Sequence, residues 1–151
     1  MSKIVLVLLV LVMGSAHAQL QTPVDSVKTS INNFFKAMRA SDKEGVVACF
    51  TDSAILQTIT KDASGEPIVE TEALSAFARV IGSMPKDAAD ERIVFDDVKV
   101  DGPLAMAWTP YKFYFNGKFS HCGVNSFQLV RQKSGWKIQY IIDTRRKQPC
   151  E

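Results

Sequence analysis

The sequence predicts an α+β fold in which a curved antiparallel sheet packs on three N-terminal helices. Apolar residues in the first half recur at the three- and four-residue spacing of helices. From Glu91 the spacing changes to the alternation of strands and keeps it almost to the end of the chain. The pair Asn116-Gly117 stands between two alternating runs, which is a strong hairpin signal. Helices followed by an antiparallel meander are typical of α+β proteins.

The first 18 residues predict a signal peptide. Lys3 supplies a positive charge, residues 4–12 are an unbroken apolar run, and Ala16-His17-Ala18 is a small-x-small cleavage site. The run is shorter than the roughly 20 residues that span a bilayer. Cleavage after Ala18 would leave one domain, residues 19–151, in a secreted or periplasmic protein. An uncleaved membrane anchor is the alternative.

Charge argues against several kinds of partner. Without Lys3 the chain keeps 17 of its 18 basic residues against 16 acidic ones, a net charge near +1. That balance favours neither nucleic acid nor an anionic membrane surface. The mature chain has a single histidine, His121, and no cysteine pair at ligand spacing, so we expect neither a metal nor a cofactor.

Three helices and six strands are predicted. The helices cover residues 25–40, 42–50 and 72–81, with Thr22 or Asp25 capping the first and Thr71 the third. A strand over 54–60 and a short return strand at 68–69 lie between the second and third helices. Four longer strands follow, over 92–100, 104–115, 118–131 and 135–146.

The three cysteines allow at most one disulfide within the monomer. Cys49 lies in an apolar run and is interpreted as a buried small side chain. That leaves Cys122 and Cys150 as the predicted pair, which would tether the C-terminal tail. Three free thiols, or an intermolecular bridge through Cys150, are the alternatives.

Two short turns, Asn116-Gly117 and Lys133-Ser134, predict the register of the last three strands. Two-residue turns there pair Trp108 with Asn125, Phe127 with Tyr140 and His121 with Arg146. One face then carries a set that is mostly apolar, and the opposite face a small or polar set. The first set is Leu104, Met106, Trp108, Asn125, Phe127, Leu129, Trp136, Ile138, Tyr140 and Ile142; the second includes Ala105, Ala107, Thr109 and Cys122.

The apolar face is expected to line a small-molecule pocket, because a few polar groups converge on it. Trp108, Phe127 and Tyr140 are candidates for stacking on a ligand, with ordinary core packing as the alternative. Asn125 needs a partner if buried, which a ligand could supply. Arg146 is expected to guard the pocket mouth opposite His121.

A family resemblance covers residues 24–146. The helices and the meander resemble the nuclear transport factor 2-like superfamily, which includes SnoaL-like cyclases, ketosteroid isomerases and scytalone dehydratases. Within it the chain resembles a small secreted bacterial branch labelled lumazine-binding. The residues that carry the likeness are Ala107-Trp108, Tyr111, Phe113, Gly117, His121-Cys122-Gly123, Phe127, Gly135-Trp136-Lys137-Ile138 and Thr144-Arg145-Arg146. The resemblance implies a cone-shaped fold, a pocket between sheet and helices, and a homodimer, but no single activity.

Three functions are therefore weighed. The first is binding of a small apolar or heterocyclic molecule without catalysis. The second is an isomerase, dehydratase or cyclase of the ketosteroid isomerase type, with Asp96 and His121 as the only candidate acid–base pair. The third is a dimeric structural or interaction module, suggested by small residues on the predicted outer face.

Overall fold

Helix α1, Pro23–Arg39, opens the part of the chain that the computed structural model describes, which is residues 22–148 and 150. The predicted signal peptide lies outside these residues. Thr22 caps the helix as predicted, its Oγ1 accepting a hydrogen bond from the Asp25 amide at 3.1 Å. One face of α1 is buried and supplies most of the helical part of the core: Val27, Ile31, Phe34, Phe35, Ala37 and Met38.

Two shorter helices complete the helical layer. Helix α2, Lys43–Ala48, is capped by Asp42, whose Oδ1 accepts from the Gly45 amide at 2.9 Å. Helix α3 covers Leu74–Gly82. It begins after the predicted Thr71 cap, because Thr71 pairs with Gln57 in a strand.

Seven strands form one curved sheet in the order β2-β1-β7-β6-β5-β3, and β4 also pairs with β5. Their bounds are β1 Phe50–Lys61, β2 Pro67–Glu72, β3 Ala89–Ile93, β4 Asp97–Asp101, β5 Leu104–Phe115, β6 Lys118–Gln132 and β7 Gly135–Thr144. The strand predicted over 92–100 is thus divided into β3 and β4. The α+β prediction is confirmed, with the refinement that β1 and β7 run parallel, so the sheet is mixed.

The predicted turns are correct, but two β-bulges change the register beyond them. Asn116 and Gly117 have φ of 49° and 75°, and Phe115 pairs with Lys118 as expected. Ser120 is then skipped in the β5–β6 ladder, so that Asn125 pairs with Thr109 instead of Trp108.

The second bulge lies at Gln139 in β7. Phe127 therefore pairs with Ile141 instead of Tyr140, and Arg146 pairs with Cys122 instead of His121. Side chains alternate between the two faces of a sheet along a strand. A one-residue shift in pairing therefore moves the residues beyond the bulge to the face opposite the predicted one.

The helix-facing side of β5 is consequently the side with the small residues. Ala105, Ala107 and Thr109 are almost fully buried, whereas Leu104 and Trp108 are about half exposed on the outer face. The prediction was wrong for β5, and also for Tyr140 and Ile142 in β7. The bulge at Ser120 supplies the reason, because it places Ala107 opposite Phe127, whose ring centroid lies 6.5 and 6.1 Å from those of Phe34 and Phe35 on α1.

The C-terminal tail is joined to β6 by the predicted disulfide, Cys122–Cys150. Two backbone hydrogen bonds between Cys122 and Arg146, of 2.9 and 2.8 Å, hold the same segment. Cys122 is buried and pairs with Arg146. Within the described residues, no helix combines the length and the apolar character needed to cross a bilayer.

Candidate functional site

A cavity of about 240 Å³ lies between the helices and the concave face of the sheet. Its walls are mainly apolar. The helices contribute Phe34, Phe35, Met38, Phe77, Val80 and Ile81, and Met84 follows the end of α3. For scale, a dry cavity of about 150 Å³ is large enough to hold benzene. The volume therefore suits a molecule of one or two rings.

Polar side chains gather at the sheet side of this cavity. Six of them are Glu91 from β3, Tyr111 from β5, His121 and Asn125 from β6, Asp143 from β7 and Arg145 from the tail. Gln57 and Thr58 from β1 and Glu72 from β2 line the same cavity. An apolar pocket with a few convergent polar groups is typical of a small-molecule site.

Glu91 and Asn125 form the first of two hydrogen-bonded groups. Nδ2 of Asn125 donates to Oε1 of Glu91 at 2.7 Å. Burial raises the pKa of Glu91 to about 7, with the Asp143 carboxylate adding to the rise and the Asn125 hydrogen bond opposing it. Glu91 can therefore gain or lose a proton near neutral pH.

Asp143 is the centre of the second group. It accepts hydrogen bonds from Thr58 Oγ1 at 2.6 Å, Tyr111 Oη at 3.1 Å and Arg145 Nε at 2.9 Å. Arg145 also donates to Thr58 at 3.1 Å, which closes the network. Burial and the neighbouring Asp143 carboxylate raise the pKa of Tyr111, so that its phenol remains a donor. Asp143 is thus a paired anion that fixes its neighbours.

His121 lines the cavity, as predicted, between two aromatic rings. Its ring centroid lies 5.0 Å from that of Phe113 and 5.7 Å from that of Tyr111. Nδ1 contacts Ser120 Oγ at 3.1 Å. Burial and the Arg145 charge lower the pKa of His121, which favours the neutral imidazole.

The six predicted ligand-binding residues divide into two sets. His121 and Asn125 line the cavity. Phe127 is fully buried in the core against α1, and Trp108 is 42% exposed on the outer face. Tyr140 also leaves the cavity wall, because the bulge at Gln139 turns it outward, where its hydroxyl donates to Gln57 at 2.7 Å.

Arg146 and Asp96 are displaced by the same kind of one-residue shift. Arg146 is exposed and pairs with Cys122, while its neighbour Arg145 reaches the cavity. Asp96 was a candidate acid or base, but Asp97 is the residue that pairs with Trp108, and Asp96 is exposed between β3 and β4. Asp96 therefore cannot act as the acid or base of this cavity.

Gly123 allows Tyr111 to reach Asp143. A Cβ atom at Gly123 would lie 1.8 Å from the Thr144 carbonyl oxygen and 2.9 Å from Cε1 of Tyr111. Tyr111 also donates to that carbonyl at 2.9 Å. The close approach of β5 and β7 across β6 at this point thus requires glycine.

Four of the polar cavity residues were missed from the sequence. Glu91 lies two residues from Ala89 and from Ile93, and Asp143 lies two residues from Ile141, so each acid occupies the apolar face of its strand. An acid at an alternating position within an apolar set was the available signal. Tyr111 and Arg145 required the correct register, which the bulges concealed.

Among residues 22–148 and 150, no three His, Cys, Asp or Glu side chains are grouped so that they could hold a metal ion. The chain matches no protein-family model, and no curated protein matches it.

Solved structures do match. An NTF-2 like protein of unknown function from Shewanella oneidensis MR-1 superposes with a TM-score of 0.63 at 13% identity, covering 82% of this chain and 99% of that one. A "putative dehydratase from the NTF2-like family" of Streptomyces avermitilis gives 0.61 at 17% identity, covering 82% and 95%. A ketosteroid isomerase-like protein from Erwinia carotovora atroseptica SCRI1043 gives 0.60 at 15% identity, covering 86% and 100%. At such low identity, these superpositions are evidence for the architecture alone. They show that the chain has the nuclear transport factor 2-like fold that its sequence pattern predicts.

Proposed function

We propose that this protein binds a small apolar or heterocyclic molecule in the cavity between the helices and the sheet. The observation that carries the proposal is the pairing of Glu91 with Asn125 at the end of an otherwise apolar cavity of about 240 Å³. The apolar walls would supply the affinity, and the Glu91–Asn125 pair would orient the ligand.

The test combines native mass spectrometry with ligand titration. Protein isolated from its own compartment is expected to carry a bound small molecule, and 2-acetylnaphthalene is expected to bind saturably, with naphthalene fluorescence as the readout. Ala89 is buried and lines the cavity, so Ala89→Leu should fill it and weaken binding at least tenfold. Val94→Leu is the matched control, since Val94 is 67% exposed and lies outside the cavity wall. Absence of both a co-purified mass and saturable binding would overturn the proposal.

A second candidate function is acid–base catalysis of the isomerase, dehydratase or cyclase type. Glu91 favours it, because a carboxyl group with a pKa of about 7 in an apolar cavity suits proton transfer at neutral pH. Glu91 would replace Asp96 as the base, and neutral His121 would serve as a donor or acceptor nearby. The names of two structural neighbours agree with this class of reaction.

Isomerisation of cyclohex-3-enone to the conjugated ketone, followed by ultraviolet absorbance, tests the catalytic candidate. Turnover should disappear in Glu91→Gln, which removes the base but keeps the shape of the side chain. Asp96→Asn should have no effect, because Asp96 is exposed outside the cavity. Equal rates in the Glu91→Gln variant and the wild type would exclude Glu91 as the base.

The outer face of the sheet supports a homodimer. Leu104, Trp108 and Phe119 are each between 42% and 52% exposed there, and large apolar side chains grouped on one face favour a partner. Sedimentation should give the mass of a dimer, and Trp108→Lys should shift it to a monomer. A wild-type protein that is monomeric at every concentration would contradict the dimer.

We also propose that the protein is exported to an oxidising compartment. The signal peptide would be cleaved after Ala18, and residues 19–151 would form one domain. The Cys122–Cys150 disulfide supports export, because such bonds persist mainly in secreted and periplasmic proteins. Mass spectrometry of the exported protein should identify Gln19 as the first residue. A chain that keeps Met1 and stays with the membrane fraction would indicate an anchor instead.

A further inference from the structure

We propose that the cavity selects an uncharged ligand whose carbonyl oxygen accepts a hydrogen bond from the protonated Glu91 carboxyl group, and that it disfavours carboxylates and amines of the same shape. This inference rests on the proposed binding function and adds the chemical class of the ligand. It follows from how the charges of the site are already paired.

The Asp143 charge is already compensated within the protein. Three donors reach its two oxygens, and one of them, Arg145, carries a full positive charge at 2.9 Å. Arg145 is further held by Thr58 on β1. Because each charge already has its counter-ion, this pair offers a ligand little net charge.

Glu91, by contrast, has a neutral partner. Its Oε1 accepts a hydrogen bond from the Asn125 amide, and among the described residues no hydrogen bond reaches Oε2. Oε2 is therefore the atom available to carry a proton toward a ligand. A protonated carboxyl group both donates and accepts, which suits a carbonyl oxygen.

The other charged and titratable groups that line the cavity come from the sheet and the tail. They are Tyr111 on β5, His121 on β6, Asp143 on β7, Arg145 in the tail and Glu72 on β2, and among them the charges of Asp143 and Arg145 act on Glu91. The helices contribute apolar side chains to the same cavity. Burial favours the neutral forms of Tyr111 and His121, and Arg145 is paired with Asp143.

A charged ligand would therefore be desolvated without adequate compensation. A carboxylate would lie beside Glu91 and Asp143 and meet a single arginine that is already paired. An ammonium group would require ionised Glu91, whose ionisation is opposed by burial and by the Asp143 carboxylate, as its pKa of about 7 reflects. Transfer of an unpaired charge into an apolar site is much more costly than transfer of a carbonyl group.

Three probes with one ring system separate these cases: 2-acetylnaphthalene, 2-naphthoate and 2-(aminomethyl)naphthalene. At pH 6 we expect the ketone to bind at least tenfold more tightly than either charged probe. A group with a pKa of about 7 is protonated about tenfold less at pH 8 than at pH 6, so affinity for the ketone should fall by about that factor.

Variants assign the effect to Glu91. Glu91→Gln keeps a neutral donor and should bind the ketone with a flat pH profile, whereas Glu91→Ala should bind it weakly at every pH. Asp96→Asn, which changes an exposed carboxylate, should keep the wild-type profile. Thermal unfolding shows whether each variant is folded. The pH profile of ketone binding by the wild type tests the inference even if a variant fails to fold.

Two outcomes overturn the inference alone, and a third also overturns the function on which it rests. Tightest binding of the amine, strengthening as pH rises, would make Glu91 a counter-ion; tightest binding of 2-naphthoate would make Arg145 the anchor. In both cases the cavity remains a ligand site. Failure of all three probes to bind saturably, together with no co-purified ligand, would overturn the proposed function itself.

Discussion

Oε1 of Glu91 accepts a hydrogen bond from Nδ2 of Asn125 at 2.7 Å, although the two residues belong to strands that are not neighbours. Strand β5 lies between them, and two strand spacings of about 4.8 Å would separate them in a flat sheet. Along β5, Glu91 is opposite Phe113 and Asn125 is opposite Thr109. Only a strongly concave sheet brings these side chains together, so the same curvature forms the cavity and its polar end.

Replacing Glu91 with glutamine is expected to change how stability depends on pH. The native pKa of about 7 exceeds the ordinary value of 4.5, so between these values the folded state binds more protons than the unfolded state. The contribution of Glu91 is therefore full below about pH 4.5 and is lost as pH rises through 7. The shift corresponds to on the order of 3 kcal/mol.

Urea unfolding at pH 4.5, 6 and 8 measures this effect. The free energy of unfolding of Glu91→Gln, relative to wild type, should rise across the series and level off above pH 8. Asp96→Asn provides the control, as an exposed carboxylate of the neighbouring connection. A constant difference between Glu91→Gln and the wild type would mean that Glu91 titrates normally.

Asn125→Asp is expected to couple two carboxyl groups. The new carboxylate would lie within hydrogen-bonding distance of Glu91, and like charges at that separation cannot both ionise readily. One proton should be retained well above pH 7, so the variant should lose stability between pH 5 and pH 8 more steeply than the wild type. The control variant Asn116→Asp, in the exposed turn, should not show this steeper loss of stability. Unfolding midpoints at the two pH values decide between these outcomes.

The helices, the turns and the order of the last three strands could be predicted from local patterns. Thr22, the apolar stripe of α1 and the Asn116-Gly117 turn each act over a few residues. The disulfide was also predictable, because Cys49 lies in an apolar run and two cysteines remained.

The cavity wall was only partly predictable, because a bulge depends on contacts that are distant in sequence. Both faces of β5 carry apolar residues, so alternation alone could not show that Ala105 and Ala107, instead of Met106 and Trp108, face the helices. The choice follows from the bulge at Ser120, which places Ala107 opposite Phe127 and Thr109 opposite Asn125. Asn125 and His121 were found because both lie on β6, whose faces were predicted correctly.

Gly123→Ala is expected to be severely destabilising. The added Cβ would lie 1.8 Å from the Thr144 carbonyl oxygen, and backbone cannot yield as a flexible side chain can. We expect a loss of about 3 kcal/mol or more, with Tyr111 displaced from Asp143. Gly65→Ala is the control: φ there is +89° and the surrounding space is open, so it should cost about 1–2 kcal/mol through backbone strain alone. Chemical denaturation measures the loss in the free energy of unfolding for both variants. The comparison separates the cost of the steric clash at Gly123 from the cost of backbone strain at Gly65.

Cys150→Ser is expected to release the tail and lower stability. The disulfide closes a loop with a sequence separation of 28 residues, which corresponds to about 3–4 kcal/mol in the chain-entropy model. The tail would then be held by the two backbone hydrogen bonds between Cys122 and Arg146 and by the Lys147 ammonium on the Ser120 carbonyl at 3.0 Å.

Two measurements test this role of the disulfide. Dithiothreitol should lower the urea midpoint of the wild type to that of Cys150→Ser and leave the variant unchanged, while Cys49→Ser should respond to the reductant like the wild type because Cys49 is a free thiol. Hydrogen exchange should increase first over residues 145–148, whose ordering depends on the tether. Arg145 lies in that segment and lines the cavity, so loss of the disulfide should also weaken binding of 2-acetylnaphthalene. Unchanged exchange over these residues after reduction would mean that the strand pairing alone holds the tail.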